Sequence, residues 1–472
     1  MAISFPHHIR GHGSKVDTPV KHLSLFIAVC WALGGVTCAL AQTTGSNLSL
    51  RSSNFFESFK YIPAVSIGAP NPGVSGPTRK PEQQRIADLH TAGDYAQAGT
   101  AGLGVLAEEK PDDELRLIIA NSLAWSGRLK EATAAYQTIT DETLVNDANV
   151  GIANVLRWRG MDHLASPIYR EILAQRPDHS DALLGLEMAQ RELSPRTTVT
   201  LGGSSDSSEF RRGAATVNHR WRDDSGFNVM EVELNGVRDA QPGSEFAQQD
   251  ITLRYQALGA QYKPAIELST PSGDDRRLYG GLKVWLDDDR VQLDVGLVNW
   301  GRIANNANAL NLGLSASHIG AIGKRGTEFG NVTGRLDYYN ISDTNTVWGT
   351  DLRLTSNQLP FGAAVKPFVG VETRKSMFRS ANYWSPSEGS GALYLGMQGE
   401  WATDDWSAYA GGQTGFAIYG DAGTSWSLSG GVSRWMTRDV ALSLKLWAMV
   451  STRDSLAYRA QSAYVALEKL WR

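Results

Sequence analysis

Cysteine is almost absent from the 472-residue chain, and both copies, Cys30 and Cys38, fall within the first 41 residues. A chain free of thiols beyond that point has no disulfide framework and no thiolate metal site. After Leu40 there is also no apolar run of the roughly 20 residues that a bilayer-spanning helix needs. Charge of one sign is lacking: 45 Lys and Arg stand against 49 Asp and Glu, a balance that offers nucleic acid little. No G-x-S-x-G, H-E-x-x-H or Walker-type loop occurs. Without the motifs of the common hydrolases and phosphate-loop enzymes, no catalytic residue, metal or cofactor is expected.

What is present begins with Arg10, Lys15 and Lys21 ahead of an apolar run from Leu23 to Leu40, ending in Ala39-Leu40-Ala41 before Gln42. A charged start, a hydrophobic stretch and a small-residue cleavage site make residues 1–41 a signal peptide. Gly34, Gly35 and Thr37 argue against the run staying as an anchor. Residues 42–78 are rich in Ser, Gly, Pro and Asn and read as a flexible linker.

Gly93, Gly127 and Gly160 then recur at spacings of 34 and 33 residues. Five positions after each glycine comes a small residue, Ala98, Ala132 or Ala165, that lets paired helices approach. A larger packing residue follows in two units, Tyr136 and Tyr169, with Gly102 in the first. Pro111 and Pro177 close the first and third units. The pattern resembles the tetratricopeptide repeat. It implies a short α-solenoid over 79–193, with units 79–112, 113–145 and 146–179 and a final helix, Ser180 to Leu193, covering the last apolar face. This segment holds 18 acidic and 12 basic residues. His90, His163 and His179 are expected to be surface or capping residues.

From Pro195 to the end the hydrophobic period changes from 3.6 to 2. Sixteen short alternating runs follow, among them Met230, Val232 and Leu234 against Glu231 and Glu233, and Val291, Leu293, Val295 and Leu297 against Gln292 and Asp294. Alternation suits a soluble sandwich as well as a membrane barrel, so turn lengths must decide. Compact turns at Arg222–Gly226, Leu258–Ala260, Asp287–Arg290, Thr403–Asp405 and Thr437–Asp439 alternate with longer ones at Gln241–Glu245, Thr270–Arg277, Arg302–Ala309 and Met377–Ser390. This is the parity of an outer-membrane barrel entered from the periplasm. Long stretches at Gly320–Thr327 and Gln358–Lys366, on the side that should be short, keep fourteen strands open beside sixteen. Trp221, Trp285, Trp300, Trp348, Trp401, Trp406, Trp426, Trp435 and Trp447 fall near strand ends, where aromatic girdles sit. The expected fold is therefore an α-solenoid followed, over 196–472, by an antiparallel outer-membrane β-barrel of about sixteen strands, surrounded by lipid.

Sixteen strands leave room for an aqueous lumen. By alternation its lining includes Glu231, Glu233, Asp250, Arg254, Glu267, Lys283, Asp294, Arg335, Asp337, Asp351, Arg353, Glu372, Arg374, Glu400 and Lys445. These charges either form ion pairs between strands that stiffen the wall or offer a hydrated path to a polar polymer. From Arg196 on there are 29 acidic and 28 basic residues, so no strong charge selectivity is indicated. His219 shares the face of Val217 and Trp221, and His318 that of Leu312 and Leu314, which points both toward lipid or the interface.

Repeats followed directly by a sixteen-strand barrel resemble the layout of outer-membrane exopolysaccharide exporters. Asn382-Tyr-Trp-Ser-Pro386, with Gly391 and Tyr394 beyond it, resembles a segment of the cellulose synthase operon protein C family. The resemblance implies a channel through which a secreted polysaccharide, a cellulose-like β-glucan or related polymer, leaves the cell. It also implies that the repeats dock synthase or periplasmic components. Three repeats replace the long superhelix of that family, so a separate periplasmic partner would be needed to reach the synthase. Tyr383 and Trp384 either stack on sugar rings or anchor a loop. The rival readings are a receptor or envelope scaffold using the barrel as an anchor, and a passive porin.

Overall fold

The computed structural model describes residues 79–472 apart from 109, 261, 272–276, 287–289, 328, 357–364, 404, 422 and 454–455. The leader and linker read from residues 1–78 lie outside the described residues, as does most of the Gln358–Lys366 stretch.

Seven helices come first: α1 (Pro81–Thr91), α2 (Tyr95–Glu108), α3 (Asp113–Trp125), α4 (Leu129–Tyr136), α5 (Val145–Trp158), α6 (Asp162–Gln175) and α7 (Ser180–Leu193). Gly93, Gly127 and Gly160 turn the chain within the successive pairs at φ +82°, +81° and +74°, a left-handed backbone that only glycine enters without strain. Ala98, Ala132 and Ala165 are fully buried where the helices cross.

The tyrosines that follow repeat one contact. Tyr136 lies on Gly151 and Tyr169 on Gly185, and their hydroxyls donate to Asn121 Oδ1 at 2.5 Å and Asn154 Oδ1 at 2.7 Å. Burial pushes both phenols up, that of Tyr169 to about 12, so they remain neutral donors. A Cβ at Gly151 would sit 2.3 Å from the Tyr136 ring. Gly151→Ala should therefore destabilise the helices by about 1–3 kcal/mol, read as a lower melting temperature of the 222 nm signal in the intact protein. An unchanged melt would mean that the ring has room to move.

The sheet follows: β1 (Arg196–Asp206), β2 (Arg211–Arg222), β3 (Asn228–Gln241), β4 (Ser244–Ala257), β5 (Ala265–Pro271), β6 (Tyr279–Leu286), β7 (Val291–Asn299), β8 (Ser315–Gly326), β9 (Gly330–Ile341), β10 (Thr346–Ser356), β11 (Val365–Ser376), β12 (Ser390–Ala402), β13 (Trp406–Gly420), β14 (Ser425–Trp435), β15 (Val440–Arg453) and β16 (Leu456–Leu470). Two five-residue helices, α8 (Trp300–Ala304) and α9 (Ala307–Asn311), interrupt it between β7 and β8. Neighbouring strands are antiparallel, and β1 pairs with β16 from Arg196 opposite Leu470 to Asp206 opposite Ala460 while lying beside β2. The result is a closed barrel of sixteen strands.

Fourteen strands are excluded because Gly320–Gly326 is not a turn. It is the second half of β8, paired with both β7 and β9. Its glycines made it look like a loop, yet Gly320 leaves space that the Asp294 carboxylate fills, 2.2 Å from where a Cβ would stand.

The helices are tied to the barrel end at which β1 starts, called here the helix end. Arg222, at the end of β2, reaches Asp162 at 3.5 Å, with both side chains almost fully buried. His163 packs edge-on against Phe227 at 4.1 Å, in the β2–β3 turn. Arg191 lies 4.7 Å over Trp435, and Arg196 bridges Glu192 at 3.4 Å and Glu468 at 3.8 Å. His163 is thus a junction residue rather than a surface one. His90, stacked on Trp125 and bonded to Ser122, also packs between helices. His179 is the residue capping α7 and contacts Asp147 at 2.9 Å.

Candidate functional site

The two faces of the wall separate cleanly. One carries Ile251, Leu253, Tyr255, Leu293, Val295, Leu352, Leu395, Leu428, Leu446 and Leu467, each at least 39% exposed. Water would not tolerate such a band around a closed barrel, and lipid would. Trp348, Trp401, Trp406 and Trp426 are exposed as well, and by parity they and Trp221 share this face. Trp285, Trp435 and Trp447 do not. Register places Trp285 beside Gln292, Trp447 beside Ser429 and Ser462, and Trp435 beside Ala441, all on the opposite, inward phase. Trp300 leaves the wall altogether. Only part of the expected girdle is therefore a girdle.

The charged residues singled out in the sequence lie on the inward phase, and most of those from β2 to β9 are paired there. Arg254 contacts Glu231, Glu233 at 2.9 Å and Glu267 at 2.6 Å. Arg212 forks onto Asp239 with two bonds of 2.7 Å, the bidentate geometry that makes such pairs strong. Asp250 is held by Arg302, and Arg335 holds Asp337 at 2.5 Å. Lys283 stands opposite Asp294 in register. Further round, Asp351 accepts from the Tyr394 hydroxyl at 3.0 Å. Arg353 lies 3.5 Å over the Phe368 ring and contacts Gln398. Glu372 faces Asp351, Glu400 faces Tyr409 and Lys445 faces Tyr464 in register.

His318 is a correction. It faces the lumen, 9% exposed, with Nε2 3.0 Å from Asp337 Oδ1, Nδ1 3.8 Å from Asp294 Oδ2, and its ring stacked on Tyr339 at 4.5 Å. The alternation was counted from Leu312 and Leu314, but β8 starts only at Ser315, and residues in a loop carry no strand phase. His219 keeps the outward phase and bonds to Thr197 at 2.9 Å.

The remaining arc differs in kind. Inward residues of β12 to β16 and β1 include Gln398, Gln413, Ser427, Ser429, Gly431, Ser433, Ser443, Ser462, Thr198 and Thr200, with few charges. Among them stand the half-buried rings of Tyr409, Trp447 and Tyr464. Tyr409 lies on Gly431 and Tyr464 on Gly202, each directly across the strand pair. A glycine opposite an aromatic lets the ring lie flat along the wall. The sequence reading followed charge and missed these rings; the usable signal was an aromatic in the polar phase with glycine across from it.

Two segments at the far end fold inward. Asn299 and Asn306 cap α8 and α9, accepting from the backbone N–H groups of Arg302 and Ala309 at 3.2 Å each. Asn305 between them takes a left-handed backbone at φ +52°. Of the two helices, α9 lies against β4 and β3, while α8 sits beside β7 and β8. Arg302 contacts Asp250 and Gln248, Asn305 accepts from Arg212 at 2.5 Å, and Asn311 donates to Ser244 at 2.5 Å. Trp300 is fully buried against Tyr339 and Tyr383.

The second segment, 377–389, places Tyr383 in that same cluster at 3% exposure. The Tyr383 hydroxyl donates to Asp343 at 2.9 Å and accepts from Asn345 at 3.0 Å. Trp384 donates to Asp421 at 3.1 Å, with Arg374 and Arg453 against its ring. These contacts are those of a loop anchor, and they leave the Tyr383 ring no open face.

No protein-family model and no curated protein sequence matches the chain. Among solved structures, it is similar to one described as a bacterial polysaccharide outer membrane secretin, at 10% identity over 59% of this chain and 99% of that one, with a TM-score of 0.50. OccK11 (OpdR) of Pseudomonas aeruginosa matches at 9% identity over 59% of this chain and 96% of that one, with a TM-score of 0.34. CdiB from Acinetobacter baumannii matches at 10% identity over 58% and 60% of the two chains, with a TM-score of 0.35. At such identities the likeness is one of fold, and the fold in common is the closed barrel.

Proposed function

We propose that the chain is an outer-membrane channel through which a polysaccharide is secreted, with its seven helices in the periplasm as a tetratricopeptide-type array. The carrying observation is the arc of hydroxyl, amide and glycine residues bearing Tyr409, Trp447 and Tyr464. Hydroxyl and amide groups exchange hydrogen bonds with sugar hydroxyls as water does, and flat rings stack on the apolar faces of pyranoses. The opposite arc uses its charges on itself, so a neutral or weakly charged polymer meets no strong electrostatic trap. A barrel of similar fold described as a polysaccharide secretin agrees with this reading.

The repeat assignment is supported by Gly93, Gly127 and Gly160 and by the two Tyr–Asn–Gly contacts, which recur at the spacing such repeats have. Its free surface would meet the synthase or a periplasmic partner. Catalysis has no part in this reading.

Deleting the gene tests it. Polymer should vanish from the medium and collect in the periplasm while growth stays normal. Unchanged secretion would refute export. The narrowed lumen suits one other reading, a passive porin. For that reading, the purified protein would leak small sugars from liposomes without any synthase.

A further inference from the structure

Lumenal arginines in this barrel are usually held. Arg212 has Asp239, Arg254 has three glutamates, Arg302 has Asp250, Arg335 has Asp337 and Arg353 has Gln398. Arg374, near the far end of β11, and Arg453, the last residue of β15, are different. Among the described residues neither has an ion pair. Both guanidiniums instead face one indole, that of Trp384, with Cζ 5.1 Å and 5.0 Å from the ring centroid. Arg453 also lies 3.5 Å over Tyr458.

Arg374 Nε is buried without a hydrogen-bond partner. Four acids at this mouth are engaged elsewhere. Asp421 accepts from Trp384, Asp343 from Tyr383, Asp206 from the Tyr458 hydroxyl at 2.9 Å, and Asp337 is held by Arg335 and His318. Two like charges brought to one ring repel each other, and a buried donor is left unmade. Both costs fall when an oxyanion accepts from the two guanidiniums, since hydrogen bonds between charged groups are about twice as strong as neutral ones.

We propose that Arg374, Arg453 and Trp384 form an oxyanion-binding site at the far mouth of the lumen, fitted to the carboxylate or phosphate of an acidic sugar. Its place on an export path rests on the channel reading above; its binding chemistry does not. Trp384 holds the two guanidiniums apart and oriented through cation–π contacts, and Asp421 fixes the indole.

The test uses the full-length protein in planar bilayers, measuring block of ion current by trigalacturonate, cellotriose and inorganic phosphate. Trigalacturonate should block at a concentration at least about tenfold below that of cellotriose, the scale of one charge-assisted hydrogen bond. R374Q/R453Q should lose this preference while keeping the heat-dependent gel mobility of a folded barrel. If phosphate alone blocks equally well, the site stands and a free anion is its source; if only the uronate blocks, the source is a polymer.

Equal block by the two sugars in the wild type, or a preference that survives in R374Q/R453Q, would overturn the site. Arg453→Gln alone, at a strand end, carries the same comparison if the double variant does not fold. Export is scored separately, by gene deletion, so either idea can fail without the other.

Discussion

A protein in which residues 302–312 are replaced by a short Gly-Ser bridge should conduct several-fold more current in planar bilayers than the wild type. Sixteen strands by themselves enclose an aqueous passage, and here part of it is filled by α8 and α9. Ala307 and Ala309 are fully buried and Leu310 is 3% exposed, which a loop standing in solvent would not show. The segment is held by side chains of the wall: Asp250 on Arg302, Arg212 on Asn305 and Ser244 on Asn311. A gentler variant separates filling from tethering. Asp250→Asn keeps the shape and removes the charge that Arg302 meets, so the channel should flicker between the wild-type level and a larger one. Conductance unchanged in both variants would mean that the passage runs clear of this loop.

The other large effect is expected at the junction of helices and barrel. Arg222→Ala removes the cation 3.5 Å from the Asp162 carboxylate, which is 0% exposed. Removing one partner of a buried pair costs about 3–5 kcal/mol, and little else joins α6 to the β2–β3 turn beyond His163 and Phe227. With Arg222 gone, burial is what still holds the His163 imidazole below its usual pKa. A ring disfavoured from charging by burial is a poor substitute for the lost cation. The helices should come loose as a body while the barrel stays folded. Limited proteolysis would then cut near Ser194 and Pro195 many times faster than in the wild type, with the barrel fragment still resisting heat. Equal cutting rates would show that the Arg191 and Arg196 contacts suffice. Asp162→Asn with Arg222→Met, which removes both charges, should recover much of the loss.

Local pattern carried most of the architecture. Period 2 with short turns placed the strands, and the recurring glycines placed the helix pairs, because both depend on neighbours in sequence. Failures came where phase or path depends on distant partners. His318 was assigned to lipid because the count ran through Leu314, although nothing local marks Ser315 as the start of a strand. Trp447 and Trp435 looked like girdle residues because tryptophan is common there; only the register beside Ser429 and Ala441 shows them pointing inward. The inward course of 300–314 depends on Arg302 finding Asp250 and Asn305 finding Arg212, encounters between residues far apart in the chain that no window contains. Tyr383 stood out as an aromatic in a motif, yet its hydroxyl is committed to Asp343 and Asn345.

The seam between β1 and β16 joins residues such as Thr198 and Glu468, 270 apart in sequence. Every other ladder of the barrel forms between consecutive strands, so the wall can zip up hairpin by hairpin, but its two free edges meet only when the whole strand series is in place. Until then the chain offers unpaired backbone at both ends of a growing sheet, the condition under which sheets misassemble with their own kind. Closure is therefore expected to be the slow step of maturation, since ordering a loop this long precedes any reward from it. A chain lacking its last strand could close only by pairing β1 with β15 in parallel, against the antiparallel order of every other ladder.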